Sequence, residues 1–199
     1  MRYTTLIIAG LLLFGCEEEV KKKGPAPSRF AAVKTNTNRD RASKIFCERA
    51  YKKGEKRWAA PPSRPVPGGA GTKAKPGWRW VNFWASWCGP CVEEFPLLAR
   101  WEKALSADGR ALSFELWSVD EEQAPFEAAL AKHKERFPPA SMHWLKSSDD
   151  LEGLFASLGI GADSAIPVHA LVDPSGDLRC VRVGSVGEGD YGSIKALID

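Results

Sequence analysis

Two cysteines separated by a glycine and a proline constrain this 199-residue chain more than any other feature of its sequence. The segment Trp87-Cys88-Gly89-Pro90-Cys91 follows an apolar, strand-like run over residues 80–85. A cysteine pair at this spacing can close a small disulfide ring in the first turn of a helix, where the helix N-terminus lowers the pKa of a thiol. We therefore expect Cys88 to be the attacking thiol and Cys91, one turn further on, to resolve the mixed disulfide.

Two other interpretations of this pair are half of a zinc site and a purely structural bridge. A zinc site would need a second pair of cysteines or histidines at ligand spacing. The three histidines of the chain are His133, His143 and His169, which are too scattered to form one. The pattern therefore favours a redox-active disulfide between Cys88 and Cys91, with no metal and no cofactor.

The sequence around the pair resembles one family of proteins. The stretch over residues 81–96, VNFWASWCGPCVEEFP, is similar to the TlpA/ResA-like extracytoplasmic reductases, which are thioredoxin-fold thiol–disulfide oxidoreductases. The stretch over residues 165–176, AIPVHALVDPSG, supports this resemblance, which covers about residues 76–199. It implies an α/β fold, a thioredoxin-like sandwich in which a central mixed β-sheet is flanked by helices, with an insertion helix.

The alternation of apolar and polar residues predicts elements in that order. Strands are expected at about 79–86, 111–119, 166–172 and 178–183, with a turn over 173–176. Helices are expected at about 88–106, 122–136, 149–158 and 190–198, and the helix at 122–136 corresponds to the insertion. The strand pair that usually opens the resembled family is not evident in this sequence.

The resemblance also implies a surface for binding a partner. Trp87 precedes the first cysteine and would provide contact area, although it could also be an ordinary packing aromatic. Ile166-Pro167 matches the cis-proline position opposite the cysteine pair, where the backbone of Ile166 would pair with an extended substrate segment. The alternative is a trans proline that begins a strand.

Glu94 is the residue that distinguishes this branch of the fold from cytoplasmic thioredoxins. The resembled reductases carry a glutamate three residues after the second cysteine, near the pair, where it could carry the proton of Cys91. Cytoplasmic thioredoxins instead place an aspartate on the preceding strand, where this chain has Asn82. The alternative for Glu94 is a surface position on the helix. His169 is given no role by the sequence.

Besides the redox pair and Cys16 near the N-terminus, the chain has two further cysteines, Cys47 and Cys180. Exported proteins rarely keep idle thiols, so we expect a structural disulfide between them. Two separate buried thiols are the alternative.

The N-terminus indicates export. Arg2 is followed by an apolar run over residues 6–14 and then by Gly15-Cys16. This run is shorter than the roughly 20 residues of a membrane span and is typical of a secretory signal. We expect residues 1–15 to be a lipoprotein signal peptide and Cys16 to be lipidated. The alternative is an uncleaved anchor, and in both cases the rest of the chain lies outside the cytoplasm, in the periplasm.

Charge divides the remainder of the chain into two parts. Residues 17–80 hold 17 Lys and Arg against 6 Asp and Glu, whereas residues 81–199 hold 10 against 19. We expect a disordered tether over 16–40, a helix at 41–53 with a Pro/Gly-rich linker within 41–75, and the thioredoxin-like domain over 76–199. The basic part would contact anionic lipid weakly, and nucleic acid is not expected as a partner of an exported protein.

The predicted function is that of a membrane-tethered, extracytoplasmic thiol–disulfide oxidoreductase. The resemblance implies reduction of disulfides in exported proteins, apocytochrome c among them, with electrons from an unidentified membrane donor. Oxidation or isomerisation would use the same residues at a different redox potential. A different class of function also stays open, a non-catalytic binding module of the same fold for a partner peptide or a metal.

Overall fold

In the computed structural model, which describes residues 29–69 and 76–199, seven strands form one mixed sheet. The strands are β1 (Arg49–Ala50), β2 (Ser63–Arg64), β3 (Trp78–Trp84), β4 (Leu112–Ser118), β5 (Ala140–Leu145), β6 (Val168–Val172) and β7 (Leu178–Val183). Their order across the sheet is β1-β7-β6-β3-β4-β5-β2. The helices are α1 (Arg29–Phe46), α2 (Gly89–Ala107), α3 (Gln123–Lys132), α4 (Leu151–Ser157) and α5 (Tyr191–Leu197).

Strand β3 lies in the middle of the sheet and leads directly to the cysteine pair. It pairs in parallel with β4 and antiparallel with β6, and this register places Asn82 opposite His169. Residues 80–84 are all buried, which explains the nearly unbroken apolar run because a strand covered on both faces has no polar side. The end of β3 is therefore a rigid base for the residues that follow it.

Helix α2 is fixed to the sheet by one apolar face. Phe95, Leu98, Trp101 and Leu105 recur at helical spacing and are buried. Pro90 lies in the first turn, where its missing N–H has no intrahelical partner to lose. The first turn of α2, with both cysteines, is thus held at the end of β3.

The predicted fold class is confirmed, because helices flank a mixed sheet in the thioredoxin-like arrangement. The strands and helices predicted from residue 76 onward are present, with small differences at their ends. The insertion helix α3 ends at Lys132, and residues 133–136 form turns instead of continuing it. Strand β5 was not predicted, because its short run of Ala, Ser, Met, His, Trp and Leu mixes small and polar with apolar side chains.

The prediction for the first part of the chain is wrong in two places. Helix α1 covers 29–46, so residues 29–40 are not a disordered tether, and the helix expected at 41–53 ends at Phe46. Ala42 and Phe46 are buried, and α1 packs against α5. Residues 49–50 then pair with β7 and cannot continue the helix. The predicted signal peptide at 1–15 and Cys16 lie outside the described residues.

The segment 41–75 is also more than a linker before the domain. Strand β1 extends the sheet beside β7, and β2 extends the opposite edge beside β5. These two-residue strands have no readable periodicity, so the expected boundary at residue 76 placed the start of the fold too late. Of the helices in the described residues, none is long and apolar enough to cross a membrane.

Candidate redox site

Cys88 and Cys91 lie at the beginning of α2 and are joined by a disulfide with an S–S distance of 2.01 Å. Cys88 is the N-cap residue, and its Sγ accepts the backbone N–H of Cys91 at 3.3 Å. Cys88 keeps 5% of its surface exposed, whereas Cys91 is fully buried. Cys88 is therefore the more accessible of the two cysteines.

The loop that presents the pair is held by Asp120, which the sequence analysis did not identify. The backbone N–H of Ser86 donates to both carboxylate oxygens, at 3.1 and 3.0 Å. The hydroxyls of Ser86 and Ser118 donate as well, at 2.6 and 2.7 Å. Asp120 and Ser86 follow the adjacent parallel strands β4 and β3, and this topology is the signal that could have identified them.

Trp87 projects from this loop, with 71% of its surface exposed. It lines a groove of about 560 Å³ together with Val119, Glu122, Pro125, Leu151 and Ile166. The peptide bond between Ile166 and Pro167 is cis, and the carbonyl oxygen of Ile166 lies 3.8 Å from Sγ of Cys88. The structure thus brings three of the predicted binding residues to the mouth of the redox pair.

Glu94 is buried beneath the first turns of α2, with 4% of its surface exposed. Its Oε1 accepts the side-chain amide of Asn82 at 2.9 Å, and its Oε2 accepts the backbone N–H of Val186 at 3.0 Å. Because Cys91 and Glu94 are three residues apart on one helix, they share a face. The carboxyl group therefore points into the protein on the side of Cys91, and not into solvent.

His169, for which the sequence predicted no function, completes this buried polar group. Its Nδ1 accepts the indole N–H of Trp80 at 3.0 Å and lies 3.1 Å from the amide nitrogen of Asn82. Its Nε2 lies 3.5 Å from Oε2 of Glu94. The contact depends on the register of β6 beside β3, which the sequence alone does not provide.

The other two cysteines of the described residues form a second disulfide away from this group. Cys47 and Cys180 are joined, with their Cα atoms 5.4 Å apart and 133 residues between them in sequence. The bridge connects the residue after α1 to β7, at the edge where β1 pairs with that strand. The bridge links two parts of the chain that are distant in sequence, and neither cysteine lines the groove.

Metal ligands do not gather at the site. Within 29–69 and 76–199, no three His, Cys, Asp or Glu side chains are close enough to hold a metal ion. His143 stacks on Trp117 at 4.4 Å on the neighbouring strands β5 and β4. Burial lowers the pKa of His143 below its usual value, and the Glu115 carboxylate, which acts in the opposite direction, offsets only part of this effect. The chemistry available to the described site is that of two sulfurs, one carboxyl group and one imidazole.

Comparison with known proteins gives distant structural similarity. No protein-family model matches the sequence, and no curated protein matches it. The thioredoxin domain of a thiol–disulfide oxidoreductase from Bacteroides vulgatus is 22% identical, with a TM-score of 0.49, over 63% of this chain and 81% of that one. A thioredoxin-family thiol:disulfide interchange protein from Chlorobium tepidum is 23% identical, with a TM-score of 0.48, over 70% and 99%.

StoA from Bacillus subtilis is 20% identical, with a TM-score of 0.44, over 63% of this chain and 84% of that one. All of these identities are below 25% and all of the TM-scores are below 0.5. Function therefore has to be argued from the site itself.

Proposed function

We propose that this protein is a thiol–disulfide oxidoreductase that exchanges disulfides with partner proteins through Cys88 and Cys91. The observation that carries the proposal is the position of Cys88. Its sulfur caps α2, accepts the Cys91 N–H and lies beside the exposed Trp87. In the reduced protein the same N–H and the helix N-terminus would favour a thiolate, which is the reactive form.

The reaction consists of two exchanges. The Cys88 thiolate attacks one sulfur of a partner disulfide, so a Cys88–partner bond forms, the partner's S–S bond breaks, and the departing thiolate takes a proton. Cys91 then loses its proton to Glu94 and attacks Sγ of Cys88. The second partner thiolate leaves and is protonated, so the partner gains two electrons and this protein is oxidised to the Cys88–Cys91 disulfide.

The partner segment would bind in the groove between Trp87 and Ile166. An extended chain can pair with exposed backbone in the manner of strand addition, while Trp87 supplies apolar contact area. The Ile166 carbonyl supports this orientation, because it lies next to Sγ of Cys88, the atom that attacks the partner disulfide. Pro167 fixes the path of that backbone.

The cellular setting that the sequence favours is a lipid-anchored reductase in the periplasm. Cys16 would carry the lipid, and the second disulfide is of the kind that persists in oxidising compartments. The substrates would be disulfides of exported proteins, with apocytochrome c as the example that the family resemblance suggests. A membrane protein with a reactive dithiol would return the electrons.

Trapping of the mixed disulfide tests this function and the roles of the two cysteines. The reduced full-length protein is mixed with a disulfide-bonded peptide, and the adducts are resolved on gels without reductant. Cys91→Ser should accumulate a Cys88–peptide adduct, whereas Cys88→Ser should form none. Equal trapping by Cys88→Ser would overturn the assignment of roles. Failure of the wild type to react faster than an unstructured dithiol peptide would overturn the function.

The direction of exchange is tested by the reduction potential of the Cys88–Cys91 couple, measured against glutathione. A value near about −270 mV, as in thioredoxin, fits a reductase, whereas about −120 mV, as in DsbA, fits an oxidase. The variant Cys47→Ser/Cys180→Ser is the control, because its potential reports the redox pair alone. A potential near the oxidising end would contradict the proposed reductase.

A further inference from the structure

The hydrogen bonds of His169 determine which of its nitrogens carries a hydrogen. The side chain is 1% exposed on β6. The indole N–H of Trp80 can only donate, and it points at Nδ1 from 3.0 Å. Nδ1 must therefore be the acceptor, and the hydrogen of the neutral ring lies on Nε2.

The amide of Asn82 strengthens this assignment. Its nitrogen lies 2.9 Å from Oε1 of Glu94 and 3.1 Å from Nδ1 of His169. An amide NH2 group has two hydrogens, so it can donate to both acceptors at once. Nδ1 then faces two donors, and a second ring hydrogen would point directly at them. The ring is therefore held in the tautomer with its hydrogen on Nε2. Because both ring nitrogens are then engaged or protonated, His169 offers no free nitrogen to accept the proton of Cys91.

The other ring nitrogen lies near the carboxyl group. Nε2 of His169 lies 3.5 Å from Oε2 of Glu94 and has no closer hydrogen-bond partner in the described residues. This distance is too long for a strong hydrogen bond. Contacts of this kind commonly shorten when the reacting complex forms. Nε2–H is thus a buried donor without a hydrogen-bond partner, and it lies 3.5 Å from the proposed proton acceptor.

Few other charged or titratable groups face this pair. On its own helix Glu94 shares a face with Cys91, three residues before it. From β3 its hydrogen-bond partner is the uncharged amide of Asn82. From the loop after β7 its partner is the backbone N–H of Val186. Arg182, opposite His169 on β7, directs its guanidinium to the carbonyls of Phe46 and Ser185 and toward Asp190 at 3.7 Å.

We propose that His169 is a positioning residue for the proton transfer from Cys91. The donors on Nδ1 hold the ring in the Nε2–H tautomer, and Nε2–H orients the Glu94 carboxyl group as the proton acceptor of the resolving step. The inference rests on the proposed function, because it concerns the second exchange. In that step the S–H proton of Cys91 goes to Glu94, the Cys91–Cys88 bond forms, and the bond from Cys88 to the partner breaks.

Reaction of the reduced protein with 5,5′-dithiobis(2-nitrobenzoate) separates the two exchanges. The first thionitrobenzoate is released when Cys88 attacks the reagent, and the second when Cys91 attacks the Cys88 mixed disulfide. Each step forms one S–S bond, breaks one, and releases one coloured thiolate that needs no proton to leave; only the second step also releases a proton, that of the Cys91 thiol. Stopped-flow absorbance therefore gives the rates of both steps in one experiment.

Four variants distinguish a positioning role from a structural one. His169→Leu should slow the second phase about 10- to 100-fold and leave the first phase unchanged. His169→Gln should stay within about threefold of the wild type, since its amide can both accept from Trp80 and donate to Glu94. Glu94→Gln should also slow the second phase, and Glu94→Gln/His169→Leu should be no slower than Glu94→Gln alone. His143→Gln, on β5, is the matched control and should change neither phase.

Ring nitrogen NMR shifts of His169 in the wild type add a measurement that does not depend on variants folding. The expected result is a hydrogen on Nε2, at a pH where the second phase is fast. A hydrogen on Nδ1, or a second phase unaffected by His169→Leu, would overturn the proposal. Additive slowing in the double variant would do the same. Loss of the first phase in the wild type would instead reject the proposed function.

Discussion

The two disulfides of the described residues differ in how far apart their cysteines lie in sequence and in what surrounds them. Cys88 and Cys91 are 3 residues apart at the start of a helix that Cys88 caps, and the neighbouring Trp87 is exposed and lines a groove. Cys47 and Cys180 are 133 residues apart and lie where β1 joins β7, with Cys180 1% exposed. The first pair is placed where a partner thiolate can arrive, and the second where it can hold distant parts of the chain together.

This difference shows that the role of a disulfide follows from its loop length and its access. A short loop removes little conformational freedom from the unfolded chain, and a long loop removes much more. Reactivity depends instead on an approach path and on groups that stabilise the thiolate. Each region also contains a buried carboxylate. Asp120 lies beside the redox pair, and Asp173 lies at the turn that leads into β7, the strand that carries Cys180.

The largest expected difference between the regions is in stability. Cys47→Ser/Cys180→Ser should lower the free energy of unfolding by about 4–5 kcal/mol in the chain-entropy model, whereas Cys88→Ser/Cys91→Ser should lower it by about 2 kcal/mol. Exchange with a disulfide peptide should show the reverse, retained in the first variant and lost in the second. Urea unfolding of both proteins without reductant provides the measurement. Equal losses of stability would break the comparison.

A smaller effect is expected from the carboxylate that supports the redox loop. Asp120→Asn replaces one acceptor oxygen with an amide that faces the donors of Ser86 and Ser118. Unmatched buried donors cost about 1–3 kcal/mol, so unfolding should become easier by that amount. Because the same loop presents Trp87, exchange through Cys88 should slow as well. Denaturant unfolding measures the loss of stability, and the rate of reaction with a disulfide peptide measures the exchange, both on one preparation of the variant. A loss of stability with an unchanged exchange rate would show that the loop does not position the cysteine pair.

Local sequence predicted the elements around Cys88 because they depend on neighbouring residues. An apolar strand and a cysteine pair at the start of a helix lie within residues 80–91, and the structure has them in that order. The disulfide between Cys47 and Cys180 was expected because exported proteins rarely keep free thiols, and the structure joins these two cysteines. Neither inference needed the register of the sheet.

The surroundings of Glu94 needed that register. Asn82 and His169 are 87 residues apart in sequence, and they meet only because β3 and β6 pair antiparallel at that position. Asp120 joins Ser86 through the parallel pairing of β3 and β4 for the same reason. The edge strands β1 and β2 are too short for any periodic pattern, so their place in the sheet comes from tertiary contacts alone.

The smallest effect, and the one that separates the regions most cleanly, is expected at Asp173. Burial raises the pKa of this carboxyl group, but hydrogen bonds from Ser175, the Asp177 backbone and Arg179 outweigh it, so the pKa is lowered from 3.8. A carboxylate with a lowered pKa contributes stability that is fully present above its unfolded value, near 3.9, and is lost as the pH falls through the folded value. Asp173→Asn should therefore destabilise by about 1–2 kcal/mol at pH 7 and by less below about pH 4. The turn lies at the opposite end of β6 from Pro167, so exchange through Cys88 should be unchanged. The free energy of unfolding of wild type and variant is measured at pH 7 and pH 3, with Asp163→Asn, at an exposed position, as the control. A difference in stability between wild type and Asp173→Asn that is larger at pH 3 than at pH 7 would contradict the prediction. Slower exchange through Cys88 would contradict the separation of the two regions.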